Sequence, residues 1–309
     1  MESLKIEDIL VSKLIMGTDK IDTIGTDKDV FALYDGYINK GGNCFDTARM
    51  YVNGQSEEVL GRYLKSRRNR DDVIISTKGG FPHLNDKTRS RLSKDEIFSD
   101  CDASLKALQI DKIDLYWLHR DDESIDVGEI IEPLNELIKL GKVDKIGASN
   151  WSTQRIEQAN NYAKSHGLKG FSASQIQWSA AVSDEVRYND YGLKIMHKSQ
   201  YDWYLKSNMP IFAFAPIANG FFNKLSSVGA NGMSDKLKAR FLCDENLRRA
   251  HILSDICHGK NCSVTNAALA YLIFNKLPTA AITGAKTMAY LNDAFDTFNF
   301  NFDQFDFEI

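Results

Sequence analysis

The chain has 309 residues, of which 43% are hydrophobic and 26% are charged. This balance is ordinary for a folded globular protein and excludes a disordered tail, a collagen and a small disulfide scaffold. The 38 basic and 42 acidic residues give a formal net charge of −4, which predicts no electrostatic footprint for nucleic acid. Length alone leaves two domains or one barrel open, because an α/β barrel of roughly 250 residues forms a single domain.

The N-terminal segment and the cysteines predict a cytoplasmic protein. The first eight residues are polar and lack the apolar core of a signal peptide. No apolar run reaches the roughly 18 residues that span a membrane, so we expect no membrane partner. Five scattered cysteines predict reduced thiols. Cys257, His258 and Cys262 lie close together, but no second Cys/His pair accompanies them, so we expect no metal site.

The first half of the chain alternates strand and helix patterns. Residues 43–46 and the β-branched run 73–77 predict strands, and the helical spacing of apolar residues over 55–64 predicts a helix between them. Residues 93–96 form a capping-box sequence, which predicts that a helix begins there. Ile113–Leu118 is apolar on both faces, as a strand of a parallel sheet is.

The second half continues this alternation. Its predicted strands are 143–148, 171–176, 210–215 and 279–282. Its predicted helices are 130–138, 153–166, 244–258, 264–274 and 287–298, with one more near the end of a polar stretch at 184–207. The seven strands located here alternate with helices at regular spacing, and we count the pattern as eight repeats without a break in composition. This predicts a parallel α/β fold in one domain, residues 1–309, as a monomer or a homo-oligomer.

Two parallel architectures fit the alternation, a doubly wound sheet and an eight-stranded barrel. A dinucleotide-binding doubly wound sheet should carry Gly-x-Gly-x-x-Gly after its first strand, and no such segment exists here. Eight repeats favour a (β/α)8 TIM barrel, in which polar residues at strand C-termini face the active site. That rule points to Asp46, Lys78, His119, Ser149, Asn150, Gln175, Phe214, Ala215 and Pro216.

Four of the polar side chains predict an acid–base site. Asp46, Tyr51, Lys78 and His119 lie at or just beyond the ends of successive predicted strands. A phenol donates its proton poorly at its ordinary pKa of about 10, and a nearby ammonium lowers that pKa. We therefore expect Lys78, kept charged by Asp46, to lower the pKa of Tyr51. Each residue alone fits an ordinary structural role, but together they suit hydride addition to a carbonyl.

The same residues lie in segments that resemble the aldo-keto reductase family. Residues 42–51 (GNCFDTARMY) are similar to the family's first signature, and residues 76–78 (STK) and 114–119 (DLYWLH) to its next two. The resemblance runs from about Leu14 to Phe298. It implies a (β/α)8 barrel that binds extended NADPH without a Rossmann domain. It also implies Tyr51 as general acid, with His119 positioning the substrate.

The resemblance further implies a nicotinamide site. Ser149, Asn150 and Gln175 are similar to the family's carboxamide-binding residues. Phe214 stands where the family usually stacks a tyrosine on the nicotinamide, and Ala215 replaces the usual serine. Backbone groups near the phosphates are expected from Pro216, Ile217, Ala218 and Gly220.

Residues 282–287 resemble the family's adenosine-phosphate loop, which precedes a helix whose N-terminus favours an anion. Gly284, Ala285 and Lys286 lie in this loop, and Lys286 is the candidate partner of the 2′-phosphate. Tyr290 stands where many members have an arginine, and Ala294 where many have an asparagine. These departures leave NADH possible beside NADPH.

The substrate pocket and the overall activity leave alternatives open. Phe81, Trp151, Phe221 and Phe222 are expected to wall the pocket, and residues 184–203 form either a lid or a solvated helix pair. The leading hypothesis is NAD(P)H-dependent conversion between a small carbonyl and its alcohol. One alternative is a non-enzymatic nicotinamide-binding barrel that acts as a redox sensor or regulatory subunit. Another is a Schiff-base lyase with Lys78 as nucleophile.

Overall fold

A short antiparallel hairpin precedes the barrel. The computed structural model describes residues 2–82, 86 and 89–307, apart from the side chains of 304 and 305. The hairpin consists of β1 (Ser3–Ile6) and β2 (Ile9–Ser12). Its apolar side chains pack against the barrel interior, so the hairpin closes the end where the strands begin. The sequence analysis did not predict this hairpin.

Eight parallel strands close into a barrel, as the fold prediction requires, although only seven of them were located from the sequence and the first, Leu14–Gly17, was missed. They are β3 (Leu14–Gly17), β4 (Cys44–Asp46), β5 (Ile74–Gly79), β6 (Ile113–Leu118), β7 (Val143–Ser149), β8 (Ala173–Gln177), β9 (Ile211–Phe214) and β10 (Thr279–Thr283). Each strand pairs with the next, and β10 pairs back with β3. All eight C-terminal ends therefore meet at one mouth.

Helices cover the outside of the barrel. They are α1 (Asp27–Asn39), α2 (Gln55–Arg67), α3 (Lys94–Leu108), α4 (Val127–Lys139), α5 (Thr153–Ser165), α6 (Glu185–Tyr188), α7 (Lys198–Ser207), α8 (Phe221–Val228), α9 (Asp235–Phe241), α10 (Asp244–Lys260), α11 (Val264–Ile273) and α12 (Met288–Asp296). None of the helices within the described ranges is long and apolar enough to cross a lipid bilayer. The (β/α)8 TIM barrel predicted from the sequence is confirmed.

The chain folds this way because its strands are apolar on both faces. Outward side chains such as Phe45, Tyr116 and Ile146 pack against the helices. Inward side chains such as Trp117 and Phe212 fill the barrel, and their rings lie 5.1 Å apart. This double burial is what a parallel sheet covered by helices requires.

The helix starts and the missed helices show how local the sequence signals are. Ser93 caps α3 by accepting a hydrogen bond from the Glu96 amide, as the capping-box sequence predicts. The prediction missed α1, although Thr26 and Asp29 form a complete capping box at its start. It also missed α8 and α9 in the insertion after β9, and it extended the last helix beyond Asp296.

Candidate active site

Lys78 and Asp46 form a buried ion pair at the mouth of the barrel. Asp46 ends β4 and Lys78 lies near the end of β5. Lys78 Nζ donates to Asp46 Oδ2 at 2.5 Å and to the Thr47 carbonyl at 2.8 Å. Burial lowers the pKa of the Lys78 ammonium, but the nearby charges of Asp46 and Tyr51 outweigh it and raise that pKa. Lys78 is therefore a charged ammonium near neutral pH.

The second oxygen of Asp46 accepts two further hydrogen bonds. Ser76 Oγ donates to Asp46 Oδ1 at 2.9 Å, and Gln175 Nε2 donates to the same atom at 3.0 Å. Trp117 Nε1 donates to Ser76 Oγ at 2.7 Å. Because an indole N–H only donates, the Ser76 proton is directed at Asp46. Donors on both oxygens stabilise the negative charge of Asp46.

Sequence reasoning missed Ser76 and Trp117, although a simple signal marks them. Ser76 lies two residues before Lys78, and Trp117 two residues before His119. Side chains two apart on a strand share one face, so both point into the barrel below the site. A rule that considers only the residues at strand ends does not identify side chains one layer deeper in the barrel, such as Ser76 and Trp117.

Tyr51 lies in a turn directly after β4, with its ring against Lys78 and His119. Lys78 Nζ is 4.8 Å from the centroid of the Tyr51 ring, and the rings of Tyr51 and His119 lie 5.8 Å apart at 81°. The structure thus brings Asp46, Tyr51, Lys78 and His119 together. The next residue, Val52, has φ of 48°, a left-handed conformation that is rare for a β-branched side chain.

The expected direction of the Tyr51 pKa shift is wrong. Burial raises the pKa of the hydroxyl, the Lys78 charge and hydrogen bond lower it, and the Asp46 and Asp19 carboxylates raise it. The net result is a pKa of about 12, not a value below 10. Lys78 acts in the expected direction, but removal of water from the phenol is the larger effect. Tyr51 therefore keeps its proton across the neutral range.

His119 is buried and neutral. Its pKa lies well below the ordinary value because burial disfavours the charged ring, and the cations of Arg120 and Lys78 add to that effect. The Phe81 ring packs on the imidazole with centroids 4.9 Å apart. His119 Nδ1 has no hydrogen-bond partner within the described structure. A neutral imidazole at the mouth is able to meet a substrate oxygen without adding charge.

Ser149, Asn150 and Gln175 are buried side by side at the ends of β7 and β8. Ser149 pairs with Gln175 in register, and the Asn150 amide donates to the Gln175 carbonyl at 2.9 Å. Asn150 Nδ2 donates to the His119 carbonyl at 3.2 Å and to Ser149 Oγ at 3.1 Å. Gln175 joins this group directly to Asp46. The three predicted carboxamide-binding residues therefore adjoin the acid–base group.

The segment after β9 contains several left-handed residues. Ala215 and Ala218 both have φ of 50°, Asn219 has φ of 55° and Gly220 has φ of 78°. Residues 218–220 are therefore three consecutive left-handed residues, which turn the chain sharply before the next helix. A Cβ added at Gly220 would meet no atom within 4 Å, and α8 begins at the next residue. The same segment holds Phe214, which was predicted to stack on the nicotinamide, and Pro216 and Ile217, which were predicted to line the phosphates.

The predicted adenosine-phosphate loop follows β10. Gly284, Lys286 and Tyr290 are exposed there, whereas Ala285 is buried. Thr287 caps α12 by accepting a hydrogen bond from the Tyr290 amide. The exposed Lys286 ammonium therefore lies beside a helix N-terminus, where an anion is favoured.

Three further polar groups at the mouth were not predicted. Thr18 Oγ1, Thr47 Oγ1 and Gln177 Nε2 are buried without hydrogen-bond partners in the described part of the chain. Thr18 and Thr47 follow β3 and β4, and Gln177 ends β8. The strand-end rule would have found them had it been applied to every strand. Unpaired buried donors and acceptors at one mouth suit a polar ligand such as a nicotinamide nucleotide.

The cysteine cluster gives no metal centre. Among residues 2–82, 86 and 89–307, no group of three or more His, Cys, Asp or Glu side chains is placed to hold a metal ion. Cys257 and Cys262 are free thiols at the end of α10, where the Cys262 amide donates to the Cys257 carbonyl at 3.1 Å.

Comparison with known proteins was decisive for the family. The family model described as the aldo/keto reductase family matches residues 13–309. The chain belongs to the aldo/keto reductase family. The resemblance found from residues 42–51, 76–78 and 114–119 is thereby confirmed.

Three curated proteins illustrate what this aldo/keto reductase resembles. Norsolorinic acid reductase B of Aspergillus parasiticus is 32% identical over 60% of this chain and 50% of its own length. An aryl-alcohol dehydrogenase of Pestalotiopsis microspora is 28% identical over 80% of this chain and 62% of its own. A probable voltage-gated potassium channel subunit beta of Arabidopsis thaliana is 29% identical over 79% and 74%. The chain spans about half the length of the norsolorinic acid reductases B that it matches.

Proposed function

We propose that this aldo/keto reductase reduces an aldehyde or ketone to an alcohol, with NADPH as the hydride donor and Tyr51 as the general acid. The observation that carries the proposal is the buried Lys78 ammonium, held by Asp46 at 2.5 Å and packed 4.8 Å from the Tyr51 ring centroid. A protonated phenol beside a fixed cation is suited to give a proton to an oxygen that becomes negatively charged.

The proposed mechanism assigns one step to each side chain. His119 orients the carbonyl oxygen toward the Tyr51 hydroxyl. Tyr51 gives its proton to that oxygen as the carbonyl carbon gains a hydride. The Lys78 ammonium then stabilises the Tyr51 phenolate, and Asp46 keeps Lys78 charged. A Tyr51 pKa of about 12 serves this direction, because the phenol is fully protonated before reaction and the product alkoxide is a stronger base.

NADPH bound at this mouth would supply the hydride. We propose that Ser149, Asn150 and Gln175 hold its carboxamide, that Phe214 stacks on its ring, and that residues 215–220 hold its pyrophosphate. Support comes from the buried unpartnered polar atoms and from the left-handed residues after β9. Lys286 is proposed to meet the 2′-phosphate.

The test of Lys286 is a parallel titration of both nucleotides. In Lys286→Met, the Kd for NADPH should rise about tenfold while the Kd for NADH stays unchanged, because only NADPH carries the 2′-phosphate. Quenching of intrinsic fluorescence measures both constants. Equal loss for the two nucleotides, or no loss for NADPH, would remove Lys286 from the phosphate site.

The decisive test of the function is Tyr51→Phe. Loss of the phenolic proton should lower kcat by about 100-fold or more while NADPH affinity stays near that of the wild type. Tyr162→Phe is the matched control, since Tyr162 is a surface phenol that hydrogen-bonds Glu132. Full activity of Tyr51→Phe would exclude Tyr51 as the acid. Aromatic aldehydes are the first substrates to test, because one relative is named as an aryl-alcohol dehydrogenase.

A regulatory barrel is the second candidate, and the likeness to a probable potassium channel subunit beta favours it. It would bind the same nucleotide through the same residues. The intact set of Asp46, Tyr51, Lys78 and His119 argues for catalysis instead. Tight NADPH binding with no turnover on a broad carbonyl panel would support the regulatory alternative.

The Schiff-base lyase is disfavoured by the state of Lys78. A nucleophilic lysine must be neutral, whereas Lys78 is ion-paired with Asp46 and its pKa is raised. We therefore expect no Lys78 adduct when borohydride is added with a carbonyl in the absence of nicotinamide nucleotide.

A further inference from the structure

One segment, residues 185–195, crosses part of the barrel mouth and is tied to three neighbouring strand ends. We name it the rim segment. Ile195 forms a bridge with Gln177 at the end of β8. The Lys194 amide donates to Asn150 Oδ1 at 3.3 Å, just after β7. The Tyr191 carbonyl accepts a hydrogen bond from Arg120, just after β6. The rim segment therefore borders the side of the mouth where His119 and Asn150 lie.

Arg120 is the residue that joins this segment to the acid–base site. Its side chain is only 7% exposed, and Nε donates to the Tyr191 carbonyl at 3.0 Å. Nη2 lies 3.4 Å from Asp190 Oδ1, and Nη1 donates to the His119 carbonyl at 2.9 Å. A planar guanidinium presents its donors from three separate nitrogens in fixed directions, whereas the three donors of an ammonium share one nitrogen.

Arg120 also supports the wall beside His119. Its guanidinium carbon lies 5.1 Å from the Phe81 ring centroid, and the Phe81 ring packs on His119. A cation over an aromatic face is attractive, and more so where water is excluded. One side chain therefore fixes Phe81, the turn at residues 190–192 and the backbone of His119 relative to each other.

The turn at residues 190–192 packs closely against the Arg120 side chain. Gly192 has φ of 68°, a conformation that L side chains rarely adopt. A Cβ added there would also lie 3.1 Å from Cδ of Arg120, closer than ordinary packing. The turn thus approaches the Arg120 stem as closely as a glycine allows.

We propose that Arg120 is a positioning residue that clamps the 190–192 turn, and that this turn is a wall that selects carbonyl substrates by the bulk of their substituents. The proposal rests on the proposed carbonyl reduction. Bulk is the selected property because the groups that Arg120 fixes, Phe81 and the turn backbone, define shape, and Phe81 packs on the histidine that is proposed to orient the oxygen.

The first test measures the clamp without using activity. Amide hydrogen exchange over residues 185–195 should become about tenfold faster in Arg120→Met, the change expected when about 1.4 kcal/mol of local stability is lost. Arg120→Lys should give a smaller increase, since it keeps the charge but not the fork. Arg187→Met is the matched control, because Arg187 lies on the same segment and its only described ion pair is with Asp184. Unchanged exchange in both Arg120 variants would overturn the clamp.

The second test measures selection. With NADPH, the ratio of kcat/KM for a small aldehyde to that for a bulky aryl ketone should change at least about fivefold in Arg120→Lys and should stay constant in Arg187→Met. Most of the change should lie in KM, since Tyr51 and Lys78 are untouched. An unchanged ratio in a variant with faster exchange would overturn the selecting role.

Gly192→Ala keeps the proposal testable if the Arg120 variants fail to fold. It disturbs the clamp from the other side and leaves the Arg120 charge in place. It should accelerate exchange and alter the same selectivity ratio, and a normal result in both measurements would contradict the proposal. If the wild type turned over no carbonyl at all, the proposed function and the selecting role would fail together, while the exchange result would still decide the clamp.

Discussion

The charge state of His119 follows from burial and from two nearby cations. Burial is the larger cause of its lowered pKa, and the charges of Arg120 and Lys78 add to it by disfavouring a further positive charge in a site with little water. An imidazolium there would add a third positive charge to a buried group that already holds Lys78 and Arg120. The neutral ring leaves Lys78 as the cation that adjoins Tyr51.

The depressed His119 pKa makes a prediction about stability. In the unfolded chain His119 takes up a proton near its ordinary pKa of 6.5, whereas in the folded protein it stays neutral. Its contribution to stability is therefore complete above pH 6.5 and is lost as the pH falls. The wild type should lose up to about 1.4 kcal/mol per pH unit relative to His119→Asn between about pH 6 and about pH 5.

Urea unfolding of both proteins across this range provides the measurement. The comparison with His119→Asn removes the pH dependence that both proteins share. That dependence includes the contribution of carboxylates such as Asp114 and Asp121, whose pKa values burial raises. A difference in unfolding free energy that does not vary with pH would mean that His119 is protonated in the folded state.

Val52, the residue after Tyr51, has a strained backbone conformation. A β-branched residue with φ of 48° and ψ of 42° occupies a conformation that costs of order 1–3 kcal/mol. Its neighbour Asn53 is also left-handed. Such a conformation persists only where surrounding packing fixes it, and Val52 packs against the main core. The turn that carries Tyr51 is therefore held rigidly.

At the scale of elements, β6 and β7 pack closely because β7 has a glycine, Gly147, where the Trp117 ring of β6 lies. A Cβ added at Gly147 on β7 would overlap the Trp117 ring on β6. Trp117 is fully buried and donates to Ser76, which in turn donates to Asp46. The close approach of the two strands thus bears on the hydrogen bonds that hold the Asp46 carboxylate.

Gly147→Ala should therefore destabilise the protein by about 1–3 kcal/mol, the usual effect of overpacking a tight core. Chemical unfolding measures this, and a change in tryptophan emission should accompany it. Gly259→Ala is the control, because no atom lies within 4 Å of its added Cβ and α10 contains it. That variant should be as stable as the wild type or up to about 1 kcal/mol more stable. Equal effects of the two substitutions would refute the close approach.

At the scale of the whole molecule, the barrel buries an unusual number of phenols. Five tyrosines are at most 1% exposed: Tyr34, Tyr37, Tyr63, Tyr116 and Tyr204. Burial raises the pKa of each phenol, to about 12 for Tyr204. Their protons are therefore held more tightly in the folded protein than in the unfolded chain.

These phenols predict steep loss of stability in alkali. A raised pKa contributes stability that is complete below the ordinary value of about 10 and disappears as the pH rises above it. The raised pKa of Lys78 adds to this loss of stability above about pH 10.5. The free energy of unfolding should fall by several kcal/mol between about pH 9.5 and about pH 11. Urea unfolding at each pH measures it, and Tyr204→Phe should have a shallower slope. A flat profile would contradict the burial of these hydroxyls.

Local sequence patterns were enough to predict the barrel and part of the candidate site. The repeating strand and helix patterns predicted the (β/α)8 barrel, because hydrophobic periodicity follows from which faces each element buries. The strand-end rule then grouped Asp46, Lys78 and His119, since the C-terminal ends of all barrel strands share one mouth. These inferences needed no distance between residues.

Other properties were decided only by the tertiary structure. The direction of the Tyr51 pKa shift depends on how completely atoms from several elements exclude water from its hydroxyl. The degree of burial of that hydroxyl cannot be predicted from a local sequence pattern. Arg120 donates a hydrogen bond to the carbonyl of Tyr191, which lies 71 residues later in the chain, and no sequence pattern in either segment predicts this contact. Periodicity is a property of neighbours along the chain, whereas electrostatics and contact depend on distances that exist only after the barrel has closed.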